Sequence, residues 1–253
     1  MAINQDPAGP VAADAALSNP GADTEVIESS YEDGTIQSRS PMKNGALEGE
    51  TQSFAPDGSL LQSARFANGV LDGEVRIYDE AGQLVQKAGY AAGVLDGRML
   101  LYAEGQLLAM LHYRAGVQEG EFVSYGNNGE AVARVPYVRG KPHGEALYYD
   151  PNGKLVRRAQ YANGVLEGEA IEYEEKGGVQ ERAPYVNGKL HGERRRFHAN
   201  GKLKDTTTFK EGKQVGAVRE HDESGNLKAA TAGAEGQPVQ SKLSTLLEKL
   251  VKG

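Results

Sequence analysis

Few side chains in this sequence could carry out chemistry, and the histidines are the first to consider. The chain has five histidines, of which His143 and His191 occupy the same place in a recurring pattern of glycine turns. Four strand spacings of ~4.8 Å would hold these two side chains ~19 Å apart, which excludes a shared metal ion. His198 and His221 begin turns one repeat apart and are no better placed as ligands. We therefore expect no metal and no cofactor.

Glutamates recur with the same spacing and raise the question of acid–base catalysis. They follow the second glycine of the pattern at Glu50, Glu74, Glu121, Glu145, Glu169 and Glu193. A glycosidase pair would need two unique carboxylates at a defined separation, whereas this carboxylate returns in most units and favours a structural role at strand starts. No helix follows the glycines to complete a phosphate loop, and the chain has no cysteine. The sequence therefore predicts no catalytic residues and a protein that is not an enzyme.

The densest basic cluster lies near the end of the pattern and is a candidate partner-binding site. In a strand, Arg194 and Arg196 would point to one face and Arg195 to the other. Together with Lys202 and Lys204 they could bind a phosphate or an acidic protein surface. The alternative is a solvated strand that resists aggregation near the end of an open sheet. The sequence leaves these two interpretations open.

The elements that must position these residues are set by an internal repeat. A seven-residue motif such as NGVLEGE returns every 24 residues, with a single interval of 23. One residue is missing between Tyr102 and Gly105, where the matching segment from Tyr78 to Gly82 is longer. Eight copies at so regular a spacing indicate a repeat architecture. The copies begin at Asn44, Asn68, Ala92, Ala115, Arg139, Asn163, Asn187 and Glu211.

Each unit carries a second glycine turn, which divides it into two segments of strand length. Asp150-Pro-Asn-Gly153 has proline and glycine at the positions that a β-turn favours. Two turns per unit leave segments of about six residues, too short for helices. We predict an all-β fold, an elongated open antiparallel β-meander of tandem ~24-residue hairpin repeats over residues 31–228. The glycines of these second turns are Gly58, Gly82, Gly105, Gly129, Gly153, Gly178, Gly201 and Gly225.

This pattern resembles the MORN-repeat family (membrane occupation and recognition nexus). The segments from Tyr185 to Gly192 and from Tyr137 to Gly144 carry its aromatic, glycine and His-Gly elements. The usual Tyr-x-Gly before the aromatic is absent, and glutamate follows the second glycine, as in a bacterial variant of the repeat. The resemblance implies a hairpin array, and the variant is often found in proteins described as antitoxins or immunity partners of toxins.

Two flanking segments differ from the repeats. Residues 1–30 contain acids, prolines and glycines but no basic residue, which is typical of disorder. Residues 229–240 have the composition of a linker. Residues 241–252 predict a short amphipathic C-terminal α-helix. This helix either caps the last strand or docks a partner, with its apolar positions at Leu243, Leu246, Leu247 and Leu250.

Charge and hydrophobicity limit the classes of partner. The net charge is −7, which argues against a nucleic-acid coat. Residues 1–130 hold 19 acids and 7 bases, whereas residues 131–253 hold 16 acids and 21 bases. Such polarity could orient a charged partner. No apolar run approaches the ~18 residues of a membrane span, and the first residues do not have the pattern of a secretory signal, so we expect a cytoplasmic protein and consider membrane binding unlikely.

The function expected from these observations is binding to another protein. The resemblance narrows the partner to a toxin or effector, which an antitoxin or immunity protein would occlude. One alternative is an adaptor for the assembly or export of a toxin or effector, recruited through the terminal segments. The other is peripheral binding to anionic lipid through the basic cluster and the C-terminal helix. Self-association is left open.

Overall fold

The computed structural model describes residues 23–231 and divides into two compact units, residues 1–141 (unit 1) and 142–253 (unit 2). The described part of each unit consists of β-strands joined by turns and contains no helix. Within residues 23–231 there is accordingly no helix long and apolar enough to cross a lipid bilayer.

Unit 1 is an antiparallel sheet in which strands that follow one another in the chain lie side by side. Two-residue strands precede some longer ones and are separated from them by a single residue. The strands are β1 (Glu25–Ser30), β2 (Ile36–Lys43), β3 (Ala46–Leu47), β4 (Gly49–Phe54), β5 (Leu60–Ala67), β6 (Val70–Tyr78), β7 (Leu84–Ala91), β8 (Val94–Ala103), β9 (Gln106–Arg114), β10 (Val117–Gln118), β11 (Gly120–Tyr125) and β12 (Ala131–Val138).

Unit 2 has the same architecture. The two-residue strand β13 (Lys141–Pro142) lies at the boundary of the units. The strands that follow are β14 (Gly144–Tyr149), β15 (Leu155–Ala162), β16 (Val165–Tyr173), β17 (Val179–Val186), β18 (Lys189–Leu190), β19 (Gly192–Phe197), β20 (Leu203–Lys210), β21 (Lys213–Gln214), β22 (Val218–His221) and β23 (Leu227–Thr231).

The first turn of each repeat is a two-residue hairpin loop. Asn68 and Gly69 both have positive φ, 49° and 78°, as a type I′ turn requires, and this turn suits the twist of the flanking strands. Glu104 and Gly105 form the same kind of loop, with φ of 51° and 75°, where the other repeats have a longer turn. The one-residue deletion predicted at this place is therefore confirmed as a tighter turn.

The second turn is longer and is held by an aspartate in several repeats. The Oδ1 atom of Asp150 accepts the backbone N–H groups of Asn152 and Lys154, at 2.9 and 3.0 Å. In one repeat the prediction misplaces the glycine by one residue. Gly177, with φ of 87°, donates its N–H to the Glu174 carbonyl, so the turn glycine is Gly177 and not Gly178.

The ends of the array differ from the sequence-based boundaries. The prediction assigns residues 1–30 to disorder, but β1 occupies Glu25–Ser30 and pairs with β2. The cause is a further turn at Gly34, whose φ of 89° and hydrogen bond to Tyr31 match the second turns of the other repeats. At the other end β23 continues to Thr231, inside the predicted linker. The predicted helix with Leu243, Leu246, Leu247 and Leu250 lies outside the described residues.

Buried alanines form the centre of the sheet in unit 2. Ala146, Ala159, Ala170 and Ala183 lie opposite one another on successive strands and are at most 5% exposed. We call the side of the sheet that carries them the alanine face. In unit 1 the equivalent line includes Ala64, Val75 and Ala88, so larger side chains alternate with alanine there. The predicted all-β hairpin array is confirmed.

Candidate functional site

In the seven-residue motif, of which NGVLEGE is an example, the acidic residue before the last glycine links one repeat to the next. Glu167 accepts the backbone N–H of Asn187 at 2.7 Å, and Glu119 accepts that of Arg139 at 2.8 Å. In another repeat the Nδ1 atom of His143 accepts the corresponding hydrogen bond, from the backbone N–H of Asn163 at 3.4 Å. The acceptor reaches a residue in the left-handed conformation at the following turn. His143 is thus a turn residue, as the sequence favours.

Metal binding finds no support from the other histidines. His112 bonds the Glu121 carbonyl through Nδ1 at 2.8 Å, and His198 bonds the His221 carbonyl through Nε2 at 3.0 Å. Among residues 23–231 no group of three or more histidine, aspartate and glutamate side chains could hold a metal ion.

The recurring glutamates pair with basic side chains on the face opposite the alanine face. Within unit 2 Glu169 lies 2.9 Å from Arg182, and Glu145 lies 3.3 Å from Arg158. These pairs join neighbouring strands, and more than a third of each side chain is exposed. Exposed pairs of this kind contribute at most about 1 kcal/mol. The structural interpretation of the glutamate row is supported, because its members close ion pairs rather than converge on one point.

The predicted basic cluster does not form one patch. Arg195 lies on the opposite face and pairs with Glu193 at 2.8 Å. Arg194 and Arg196 lie on the alanine face, as the period of a strand predicts, because their partners Thr207 and Asp205 belong to that face. The two remaining members are also apart from the arginines. Lys202 donates from Nζ to the Ser224 carbonyl at 3.0 Å, and Lys204 is exposed on β20.

Arg194 and Arg196 are both engaged with acidic residues. Arg196 donates from Nε to both carboxylate oxygens of Asp205, at 2.9 and 3.0 Å, and Asp205 is only 2% exposed. The Nε atom of Arg194 lies 3.9 Å from Oε2 of Glu181, and its guanidinium lies 5.2 Å from the ring centroid of Phe209. Such contacts neutralise the two positive charges within the sheet, so the cluster does not offer a simple anion site.

A line of charged residues crosses the alanine face of unit 2, one on each successive strand. Arg157 is opposite Glu172, Glu172 is opposite Glu181, Glu181 is opposite Arg196, and Arg196 is opposite Asp205. We call these five residues the charged row. They lie two residues along their strands from the buried alanines or, on β19 and β20, from Arg194 and Thr207. All five residues of the charged row therefore lie on the same face of the sheet.

Arg157 and Asp205 of the charged row are buried, whereas Glu172, Glu181 and Arg196 are partly exposed. Arg157 is 4% exposed, and its guanidinium lies 5.8 Å from the ring centroid of Tyr148. Burial raises the pKa of Glu172, with attraction from Arg157 opposing the rise. Burial likewise raises the pKa of Glu181, against attraction from Arg194 and with repulsion from Glu172. Two like charges thus face each other in a poorly solvated place, which is unfavourable for a sheet.

Tyr185 lies on the same face and interacts electrostatically with members of the charged row. Burial raises the pKa of Tyr185, and the charge of Arg157 opposes this rise. The charges of Glu181 and Glu172 raise the pKa further, whereas Arg194 lowers it. Together these side chains offer hydrogen-bond donors, acceptors and an aromatic surface on one face.

The equivalent row in unit 1 carries no charge. Its members are Gln62, Ile77, Gln86, Leu101 and Ala109, each opposite the next. The hairpin array therefore forms with neutral residues at these positions. Sequence reasoning missed the charged row, although aligning the repeats column by column shows glutamine and alanine replaced by Arg157, Glu181 and Asp205 at intervals of 24.

The repeat geometry agrees with the comparison with known families. The model of the MORN repeat variant matches residues 71–92, 142–163, 166–187 and 190–211. This chain is a MORN-repeat protein. MORN repeats provide a scaffold for interaction, built from turn and packing residues. No curated protein matches the sequence.

Several solved structures resemble parts of the MORN array. A crystal structure of TcdB2–TccC3 with Cdc42 is 11% identical, with 79% of this chain and 14% of that chain covered and a TM-score of 0.22. The Photorhabdus luminescens Tc holotoxin pore with a TccC3 mutation is 12% identical, with 83% and 15% covered and a TM-score of 0.21. The MORN-repeat chain thus spans about a seventh of the length of these proteins. TM-scores so low carry no information about function.

Proposed function

We propose that this MORN-repeat protein is a cytoplasmic antitoxin or immunity protein that binds a bacterial toxin and occludes it without catalysis. The observation that carries the proposal is the charged row on the alanine face of unit 2. The family resemblance supplies the toxin as the expected class of partner.

The charged row favours binding because the scaffold does not require it. Neutral side chains fill the same positions in unit 1. Withdrawing charges from water costs stability unless each is fully compensated, and the facing carboxylates of Glu172 and Glu181 are not. Residues that are unfavourable for folding and absent from the equivalent unit are typical of a binding surface.

Recognition would use the sign of each charge along the row. A lysine or arginine of the toxin placed between Glu172 and Glu181 would relieve their mutual repulsion and keep both carboxylates ionised. The Arg196 side chain is paired with Asp205 but is 43% exposed, so it would offer hydrogen-bond donors at the surface rather than an unpaired positive charge. An order of charges that matches the partner in one alignment only would fix the register of the partner, while the rest of the face would block the toxin surface sterically.

The test uses the full-length protein as bait, with two matched variants. Glu172→Gln combined with Glu181→Gln removes both facing carboxylates. Glu145→Gln combined with Glu169→Gln removes the same number of carboxylates from the opposite face, where they form only exposed ion pairs. Proteins captured from lysate of the source organism are identified, and each gene is then expressed alone and with the bait in a test bacterium.

The proposal expects one stoichiometric partner that stops growth when expressed alone and is harmless with the bait. The variant at Glu172 and Glu181 should fail to capture it or to restore growth, whereas the variant at Glu145 and Glu169 should do both. A partner without toxicity would contradict the antitoxin role. Equal protection by both variants would remove the charged row from the binding site.

A further inference from the structure

The two strands at the limits of the described residues each have one paired edge. Within residues 23–231, β1 pairs with β2 alone and β23 pairs with β22 alone. All six residues of β1 are exposed. The open edge of a strand presents N–H and C=O groups that can pair with another chain, so each limit of the array is a potential interface.

The places of β1 and β23 relative to the long turns show that the two edges are complementary. β1 ends at a long turn, with Ser30 opposite Ile36, just as β4 ends with Phe54 opposite Leu60. β23 begins after a long turn, with Leu227 opposite His221. Within the array, a strand that follows a long turn always pairs next with a strand that leads into one, as β5 does with β6. The strand that β23 lacks is therefore of the same kind as β1.

We propose that copies of this protein associate head to tail, with β23 of one copy pairing antiparallel with β1 of the next. The pairing of β5 with β6 supplies the register. Ser63 is opposite Arg76 in that pair, and Ala230 and Glu28 occupy the corresponding places relative to their long turns. Ala230 of one copy then lies opposite Glu28 of the other, and the repeat continues across the junction without a break in phase.

The backbone groups at these two positions face the open edges. A type I′ turn joins β5 to β6 through the pair Ala67 and Val70, and peptide groups alternate in direction along a strand. The peptide group of Ser63, four residues before Ala67, therefore points to β6. By equivalence Ala230 points away from β22, and Glu28 points away from β2. Both residues have an N–H group and a carbonyl oxygen available for the junction.

Charge favours this orientation over the symmetric pairing of like edges. β1 contains Glu25 and Glu28 and no basic residue, whereas β23 contains Lys228 and no acidic residue. In the proposed register Lys228 is opposite Ser30 of the neighbouring copy, two residues from Glu28, within the reach of a diagonal pair on adjacent strands. Pairing β1 with a second β1 would instead bring the acidic strands together.

The test blocks one edge at a time in the full-length protein. Glu28→Pro removes the N–H at the outer edge of β1, and Ala230→Pro does the same for β23; proline is tolerated on an edge where its nitrogen faces solvent. Glu28→Ala is the control, because it loses the carboxylate but keeps the N–H. Sedimentation velocity over a wide range of protein concentration measures association, and circular dichroism with thermal unfolding shows whether each variant is folded.

Head-to-tail pairing predicts growing oligomers of wild type with concentration. Each proline variant alone should be monomeric, its association constant reduced about tenfold or more, and Glu28→Ala should associate more strongly than Glu28→Pro. An equimolar mixture of Glu28→Pro and Ala230→Pro should form a dimer and nothing larger, because one free edge of each kind remains. A wild type that is monomeric throughout, or dimers formed by either proline variant alone, would overturn the proposal, and neither result bears on toxin binding.

Discussion

Units 1 and 2 of this MORN-repeat protein have the same order of strands and turns and differ in the side chains that these strands carry. At the position two residues from the central line, unit 1 has Gln62, Ile77 and Gln86, whereas unit 2 has Arg157, Glu172 and Glu181. The turns and a buried central line are common to both, although alanines fill this line in unit 2 and alternate with larger side chains in unit 1. The turns and the apolar central line therefore set the fold, while the neighbouring row can vary in charge and so can acquire a function.

The largest expected effect comes from removing the most deeply buried charge of unit 2. Arg157→Ala should lower the free energy of unfolding by about 3 kcal/mol, because it opens a cavity and leaves Glu172 without its opposite charge. Denaturant unfolding, with hydrogen exchange to separate the units, measures the loss. Arg65→Ala in unit 1 is the control, since Arg65 is exposed. Equal losses in both variants would show that the units do not differ as described.

The next effect concerns the bidentate pair at the end of the charged row. Asp205→Ala should cost about 2 kcal/mol, because Asp205 is buried and accepts two hydrogen bonds from Arg196. Ala109 and Ala133 stand at equivalent places in unit 1, so the alanine fits the backbone. Glu169→Ala, which breaks only an exposed ion pair, should cost well under 1 kcal/mol. A loss at Asp205 no greater than that at Glu169 would contradict the assignment.

A substitution toward the neutral pattern of unit 1 should stabilise unit 2. Glu181→Gln at pH 7 should raise the free energy of unfolding by up to about 1 kcal/mol, because it ends the repulsion between facing carboxylates. Chemical denaturation together with hydrogen exchange across β16 and β17 gives the change. A destabilised variant would mean that Glu181 contributes through Arg194 more than it costs through burial.

Acidity should act on the two units differently. The pKa values of Glu172 and Glu181 are raised in the folded chain, so protonation favours folding: the stabilisation is complete below the unfolded pKa, about 4.3, and is lost as the pH rises through the folded pKa. The exchange rates of unit 2 should therefore fall as the pH is lowered from above the folded pKa toward the unfolded pKa, after correction for intrinsic exchange. The double variant Glu172→Gln with Glu181→Gln should remove this dependence.

The smallest effect tests what the units share. Glu167→Ala removes the acceptor for the Asn187 N–H in unit 2, and Glu119→Ala removes that for Arg139 in unit 1. Each should cost about 0.5–1 kcal/mol, since the freed groups lie at exposed turns and can bond water. Similar thermal shifts in the two variants are expected. A difference of several-fold would show that the links between repeats are not equivalent.

Most of the fold could be predicted, because it depends on local signals. The glycine at the second position of each hairpin loop, such as Gly164 with φ of 92°, identifies the turn, and its spacing from Gly153 sets the strand length. Errors fell where such a signal was weak or duplicated. Two adjacent glycines at 177 and 178 left the turn ambiguous. Gly34 lies 24 residues before Gly58, but no complete copy of the seven-residue motif precedes it, which hid β1.

The candidate site could not be predicted in the same way. Arg194, Arg195 and Arg196 are adjacent in sequence and looked like one basic cluster, although the alternation of a strand already separates their faces. Arg157 and Glu172 are fifteen residues apart and carry no motif. Only strand pairing brings them together, and only burial reveals that their charges are costly.

The amino-acid sequence by itself determined the hairpin repeats, since turn residues and period-2 alternation act through neighbours along the chain. It also determined which residues share a face within one strand. The tertiary structure decided which charges meet between strands, because a pairing such as Glu172 with Glu181 depends on the register of the sheet. It decided their protonation as well, because the solvation that sets the pKa of a carboxyl exists only once the surrounding strands have packed.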